Sequence, residues 1–266
     1  PQWVTKTLEG REEDIRPCIH CHNGCFNLAH YKGVGNDQTL HDNAGMARCA
    51  LNPETMQSKK YKIVPAKKQK KVAIVGGGIG GMETARVLAL RGHKPTIFEK
   101  SGALGGVFVA AAAPQFKSAD KALLKWYEKQ MKDLNVDIRF DTEVKPSDTL
   151  TGFDEIVVAT GATARRVPVK GAEKCIEACD YLSGAPVGDK IVVIGGGLTG
   201  CEIALDAHLK GKTPVIVEMK NDLIAVKGVC LANSSYLREY FALHKVEVHL
   251  ESTVREVGDG YVIVKE

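Results

Sequence analysis

The sequence predicts an α/β protein built on two parallel sheets, and three observations carry that expectation. Lys71 to Gly81 (Lys-Val-Ala-Ile-Val-Gly-Gly-Gly-Ile-Gly-Gly) joins a short, mostly β-branched run to Gly76, Gly78 and Gly81 at the G-x-G-x-x-G spacing. Lys190 to Gly200 (Lys-Ile-Val-Val-Ile-Gly-Gly-Gly-Leu-Thr-Gly) repeats the pattern, with Gly195, Gly197 and Gly200. Each unit ends a second apolar run on an acid, and the pairs Gly76/Gly195, Glu83/Glu202, Gly92/Gly211, Pro95/Pro214 and Glu99/Glu218 are all 119 residues apart. Coincidental turns would not share strand, glycines, helix length and terminal acid. The fold class is therefore read as two Rossmann-like dinucleotide-binding domains preceded by a loop-rich cysteine segment.

The residue types suit that chemistry. Gly76 permits the tight turn, Gly78 lets backbone approach a pyrophosphate, and Gly81 lets the helix pack on its strand. The pyrophosphate would sit at the helix N-terminus, where free N–H groups and the positive dipole end favour an anion. Glu99 lies 23 residues after Gly76, near the spacing of the carboxylate that holds a ribose hydroxyl.

Bulk composition excludes some functions. With 266 residues, 44% hydrophobic and 26% charged, the chain reads as globular with two modest cores. A net charge of +4 is too small to argue for nucleic acid, and much of the excess is local, from Lys59 to Lys71 around Pro65. That stretch reads as a solvated linker. No apolar run approaches the roughly 20 residues that span a bilayer, and no signal peptide is found. A cytoplasmic location without a membrane partner is expected.

Taken in order, residues 1–58 lack a long periodic pattern, so something other than a core should hold them, and poor order is expected there. Cys18-x-x-Cys21-x-x-x-Cys25 offers three thiolates from one loop, and Cys49 offers a fourth. Such a set suits an iron–sulfur cluster or zinc, and His20 and His22 lie inside the loop. From 59 to 163, a strand, a helix at about Gly80 to Leu90 and a strand at Thr96 to Glu99 form the first dinucleotide unit. Gly105 and Gly106 suggest backbone lying against a ligand. Ser118 is expected to cap a helix carrying Leu123, Tyr127, Met131 and Leu134, with Trp126 and Tyr127 in the core. Val136 to Phe140 alternates as a strand. Glu155 to Ala159 reads as a buried one running into Thr160-Gly161, a turn near the first cofactor.

Residues 164–266 hold the second unit. Cys201, at the start of its helix, reads as a small residue packed under the strand. Ser234 and Ser235 are expected to cap a helix through about Leu243, followed by a strand at Val246 to Leu250. Val254 to Val264 reads as a hairpin turning at Gly258-Asp259-Gly260.

Arg16-Pro17-Cys18-Ile19-His20-Cys21, Cys25 and Cys49-Ala50-Leu51-Asn52-Pro53, followed by the double glycine-rich repeat, resemble the C-terminal half of the iron–sulfur flavoenzymes of the old yellow enzyme family. That group includes 2,4-dienoyl-CoA reductase and 2-enoate reductase. The resemblance implies that Cys18, Cys21, Cys25 and Cys49 ligate a 4Fe-4S cluster. It implies that Gly76, Gly78, Gly81, Glu99, Gly105, Gly106, Ala159, Thr160 and Gly161 contact FAD. Gly195, Gly197, Gly200 and Glu218 would contact NADH or NADPH, with Glu218 favouring NADH by repelling a 2′-phosphate, against the nearby Lys220. It also implies an NADH-dependent ene-reductase-like module that passes hydride to FAD and electrons through the cluster to an FMN on a TIM barrel. No side chain of this chain need act as acid, base or nucleophile.

The Cys25 to Cys49 interval, with 23 residues between, is longer than that family's pattern. Neither the barrel nor the segment that completes the FAD domain is found, so the chain reads as a fragment of a longer enzyme. Two alternatives stand beside this reading. One is a pyridine-nucleotide disulfide reductase using Cys175 and Cys179; the other is a zinc-stapled nucleotide-binding module without catalysis.

Overall fold

The computed structural model describes residues 2–26, 47–226 and 229–266. The chain divides into two compact units, Pro1–Ile19 with Lys62–Thr163, and His20–Tyr61 with Ala164–Glu266.

In the first unit, helix α1 (Gln2–Leu8) precedes strands β1 (Lys71–Val75), β2 (Lys94–Phe98), β3 (Asp137–Arg139) and β4 (Glu155–Val158). These pair in parallel in the order β3-β2-β1-β4. Four β-branched or apolar residues in a row make β1 a central strand, with Val72, Ala73 and Ile74 buried. Ser58–Tyr61 is a single turn, α2, in the second unit. Helix α3 (Ile79–Leu90) crosses from β1 to β2, and α4 (Val107–Ala111) and α5 (Ser118–Asp133) follow. Met82 and Ala85 from α3 and Leu123, Tyr127 and Met131 from α5 supply the core, and Trp126 is buried with them.

Pro95 has no N–H to give a ladder, yet β2 is a central strand. It is tolerated because β2 pairs with β1 from Lys94 but with β3 only from Thr96. Pro214 uses the same device in the second unit, where pairing to the third strand starts at Val215.

The second unit carries β5 (Lys190–Ile194), β6 (Thr213–Val217) and β7 (Glu247–His249) in a parallel sheet of that order. Helices α6 (Ala178–Leu182), α7 (Leu198–Leu209) and α8 (Leu231–Leu243) accompany it. Val193, Cys201, Leu205, Ile216, Leu237 and Phe241 form its core. β8 (Thr253–Val257) and β9 (Val262–Lys265) make the expected antiparallel hairpin, turning at Gly258 to Tyr261. Gly171, at φ +80°, lies against this hairpin; a Cβ there would stand 1.8 Å from the Val257 carbonyl oxygen.

Three expectations are corrected. β4 is not buried: Ile156 is 54% and Val158 74% exposed, because β4 is the outer strand and β1 is its one partner among the described strands. Ser118 is already the first helical residue, behind Lys117 at the cap position. α8 starts at Leu231, so Ser234 and Ser235 lie within it and the Ser234 hydroxyl donates to the Leu231 carbonyl. Nor is the whole N-terminal segment without order. Gln2–Leu8 is helical and Asp14 is fastened to α5, its carbonyl accepting from the Trp126 indole at 3.0 Å and its carboxylate from Lys129 at 2.8 Å. Residues 27–46 of that segment lie outside the described residues.

Burial decides the cost of deletion in the first sheet. Ile74→Ala, in the fully buried centre of β1, is expected to destabilise by about 3 kcal/mol, whereas Ile156→Ala on β4 costs under about 1 kcal/mol. The shift of the urea midpoint, at unchanged slope, measures both.

Candidate functional site

The first glycine-rich turn sits at the C-terminal ends of β1, β2 and β4. Gly76 has φ +108° and donates to the Phe98 carbonyl at 2.8 Å. Ala159 donates to the Val75 carbonyl, and a Cβ at Gly76 would stand 2.4 Å from the Ala159 oxygen and 3.3 Å from the Thr160 Cα. A Cβ at Gly81 would stand 1.9 Å from the Gly76 carbonyl oxygen, so only glycine lets α3 pack this close to the turn.

Gly78 caps α3 in extended backbone, and Gly105 pairs with it, donating to the Gly77 carbonyl at 2.9 Å. Gly106, at φ +54°, places its would-be Cβ 3.3 Å from the Gly78 Cα. Two glycine segments thus run back to back beside a helix N-terminus, a surface of bare backbone amides suited to an anion. Gly161 follows at φ +72° with open space where a side chain would be.

Glu99 ends β2 beneath this turn and is buried. Its Oε2 accepts from the Gly77 N–H at 2.7 Å, and its Oε1 accepts from the Ser101 N–H at 2.8 Å and the Ser101 hydroxyl at 2.7 Å. Burial raises the Glu99 pKa, but the N–H groups of Ser101 and Gly77 outweigh it and hold the carboxyl below its ordinary value.

The second turn reproduces the arrangement. Gly195 has φ +104° and donates to the Val217 carbonyl, and a Cβ at Gly200 would lie 1.9 Å from the Gly195 oxygen. Gly197 caps α7 in extended backbone. Glu218 accepts from the Gly196 N–H at 2.6 Å and the Lys220 N–H at 2.8 Å. The Lys220 ammonium is turned along its own loop to the Ala225 carbonyl at 3.1 Å. One difference stands out: among the described residues a Cβ at Gly195 would meet nothing within 4 Å, whereas Gly76 is covered by Ala159. Gly77 and Gly196, the amide donors to the two acids, lie outside the three fixed glycine positions of the motif; their repetition at the 119-residue offset is the sequence signal for them.

None of the four cysteines of the N-terminal set forms a disulfide. Cys18 falls in the first unit and is exposed; Cys21, half-buried, and Cys25 and Cys49, exposed, fall in the second. Within the second unit the Arg48 N–H donates to the Gly24 carbonyl at 2.6 Å, which brings the neighbours of Cys25 and Cys49 together. His20 and His22 both have positive φ, 56° and 54°, so backbone strain is stored on either side of Cys21. Asn233 on α8 fastens the loop, donating to the Cys21 carbonyl at 3.3 Å, with its Oδ1 3.2 Å from Nδ1 of His22. Among the described residues no three His, Cys, Asp or Glu groups stand together as ligands of a single metal ion. The donor chemistry, four soft sulfur donors, fits an iron–sulfur group as it also fits zinc.

Elsewhere, Cys201 is fully buried as expected, and burial pushes its thiol up to about 12. Cys175 and Cys179 are half-buried; burial and Glu177 raise the Cys179 pKa, the reverse of an activated thiolate.

The pyridine nucleotide-disulphide oxidoreductase profile matches residues 35–152 and 70–265. Cinnamate reductase of Clostridium sporogenes is 40% identical over 262 residues, which cover 97% of this chain and 38% of the relative. NADH oxidase of Thermoanaerobacter brockii is 35% identical over 233 residues, 84% of this chain and 34% of the relative. The solved complex of 2-naphthoyl-CoA reductase with 2-naphthoyl-CoA superposes with a TM-score of 0.85 at 29% identity, over 98% of this chain and 38% of that one. The chain thus spans under two fifths of the length of these proteins. It belongs to the pyridine nucleotide-disulphide oxidoreductase family, as an FAD- and NAD(P)H-binding oxidoreductase fold matching the reductase half of old-yellow-enzyme-type flavoenzymes.

Gly81→Ala and Gly200→Ala separate the two turns. Each is expected to weaken nucleotide binding roughly tenfold or more at its own turn alone, read by titrating both variants with FAD and with NADH. Acid is expected to erase the Glu99 contribution. Its folded pKa is lowered, so its stabilisation is complete above the unfolded value near 4 and fades as pH falls through the folded value. The gap in thermal midpoint between the wild-type chain and Glu99→Gln should therefore hold above about pH 5 and close on acidification.

Proposed function

We propose that this member of the pyridine nucleotide-disulphide oxidoreductase family is the NADH-dependent reductase module of a larger flavin and iron–sulfur oxidoreductase. Residues 59–163 are the FAD domain and 164–266 the nicotinamide-nucleotide domain. Cys18, Cys21, Cys25 and Cys49, in residues 1–58, hold a 4Fe-4S cluster. Reducing equivalents leave for an FMN on a barrel domain outside this chain, where an alkene or related acceptor is reduced.

When bound, the nucleotides and cluster supply the hydride and one-electron chemistry. The chain's own residues bind and orient. The Gly76 to Gly81 turn and the N-terminus of α3 present amides to a pyrophosphate, with Gly105 and Gly106 extending that backbone surface. Glu99 and Glu218 each keep acceptor capacity beyond the amides they already bind, which suits a ribose diol. Glu218, buried and with Lys220 turned aside, disfavours a 2′-phosphate.

The observation that carries this reading is the duplicated carboxylate-to-glycine-amide bond, Glu99 to Gly77 and Glu218 to Gly196, in two separate units. One such site would support a single nucleotide; two support a donor and an acceptor.

An anaerobic absorbance titration of the purified chain tests it. A yellow protein whose flavin absorbance bleaches on adding NADH, with iron and acid-labile sulfide present, is the expected result. A colourless chain that holds zinc would sink the redox assignment. In the same assay Glu218→Ser should narrow the preference for NADH over NADPH by roughly tenfold, the scale of one relieved like-charge contact.

A further inference from the structure

Arg16 stands two residues before Cys18, separated from it by Pro17 alone. Its guanidinium lies 4.6 Å from the centre of the Trp126 ring and 5.8 Å from that of Tyr127. The same Nη2 donates to both oxygens of Glu83, at 3.1 and 3.0 Å. Glu83 projects from α3 and accepts also from Arg86, at 2.8 and 2.9 Å, and from the Tyr127 hydroxyl at 3.2 Å. Two residues upstream, the Asp14 carbonyl accepts from Trp126 and from the Lys6 ammonium at 2.7 Å, and its carboxylate accepts from Lys129. The Arg16 side chain is only 15% exposed and that of Arg86 only 12%. Burial raises the Glu83 carboxyl, but the two guanidinium groups outweigh it and hold it ionised below the usual carboxylate range.

This is a costly arrangement for a surface segment. Two cations and an anion are drawn from water to fasten a stretch that adds no strand and no buried residue to the core. What the clasp does fix is the point from which Cys18 departs: Pro17 has a locked φ, so little freedom remains between the anchored guanidinium and the exposed thiol. The anchor, moreover, is on α3, whose N-terminus is capped by Gly78 of the first glycine-rich turn. Cys18 is thereby registered to the helix that meets the dinucleotide.

We propose that Arg16, gripped by Glu83 and Trp126, is a positioning residue that presents Cys18 as a ligand of the cluster. This rests on the reading that the four N-terminal cysteines hold an iron–sulfur group. Arginine is required for its planar fork and its stacking face; lysine keeps the charge and loses both.

The test compares the full chain, Arg16→Lys and Arg16→Ala after anaerobic reconstitution with ferrous iron and sulfide. Readouts are iron per chain, rate of iron loss to a chelator, bound flavin, and hydrogen exchange over residues 12–19. Iron loss is expected to quicken roughly ten- to hundredfold in Arg16→Ala, the range for outer partners of metal ligands, with Arg16→Lys between. Exchange over 12–19 should rise while flavin content holds. Wild-type iron binding with an unchanged release rate in Arg16→Ala would overturn this inference alone. Loss of flavin in step with iron would also overturn it, since the clasp would then only hold the unit together. A wild-type chain that takes up no iron would overturn the cluster reading and this inference with it.

Discussion

A carboxylate at the end of one strand, bonded to an amide in the turn that ends its neighbour, is the interaction on which both units depend. In the first unit, β1 and β2 are in register through Val75 and Phe98, so the next residues, Gly76 and Glu99, leave the sheet together. Gly76 must turn with positive φ to clear the end of the sheet, which exposes the Gly77 N–H to the acid. If the register slipped by one residue, Glu99 would point away and the turn would lose its anchor. The second unit has the same register, Ile194 with Val217, and the same bond from Gly196 to Glu218. A buried carboxylate is costly unless amides meet it, and here the turn supplies them. The acid is thus a structural part of the turn as well as a group with acceptor capacity left for a ligand.

The two turns share that bond and differ in their surroundings. Over Gly76 the chain leaving β4 lies close, so the first turn is walled by Ala159 and Thr160 and by the Gly105 and Gly106 segment. Among the described residues no such wall stands over Gly195, although Leu223 packs against Gly196 as Leu104 packs against Gly77. A walled turn suits a nucleotide that stays, and an open one suits a nucleotide that exchanges.

Much of this was legible from local pattern. Period, glycine spacing and the 119-residue offset mark strands, turns and terminal acids because each is enforced by neighbours within a few residues. Helix starts were less legible: Ser118, Ser234 and Ser235 have capping side chains, but the helices begin one to five residues earlier than those serines suggest as caps. The exposure of Ile156 and Val158 was illegible because an apolar run reads the same in a central strand and an outer one.

The clasp on the N-terminal segment was illegible for a different reason. Arg16 and Glu83 are 67 residues apart, and Asp14 and Trp126 are 112 apart, so no window of sequence contains either pair. Trp126 and Tyr127 read as core and are core, but nothing local reveals that they also grip an arginine. By itself the sequence determined the fold class, the two glycine-rich turns and their acids, since these are short-range patterns imposed by backbone geometry. Only the tertiary structure decided which strand lies at the sheet edge, which turn is walled, and how the chain before Cys18 is held. Those outcomes depend on side chains that meet across the fold, where sequence spacing carries no information.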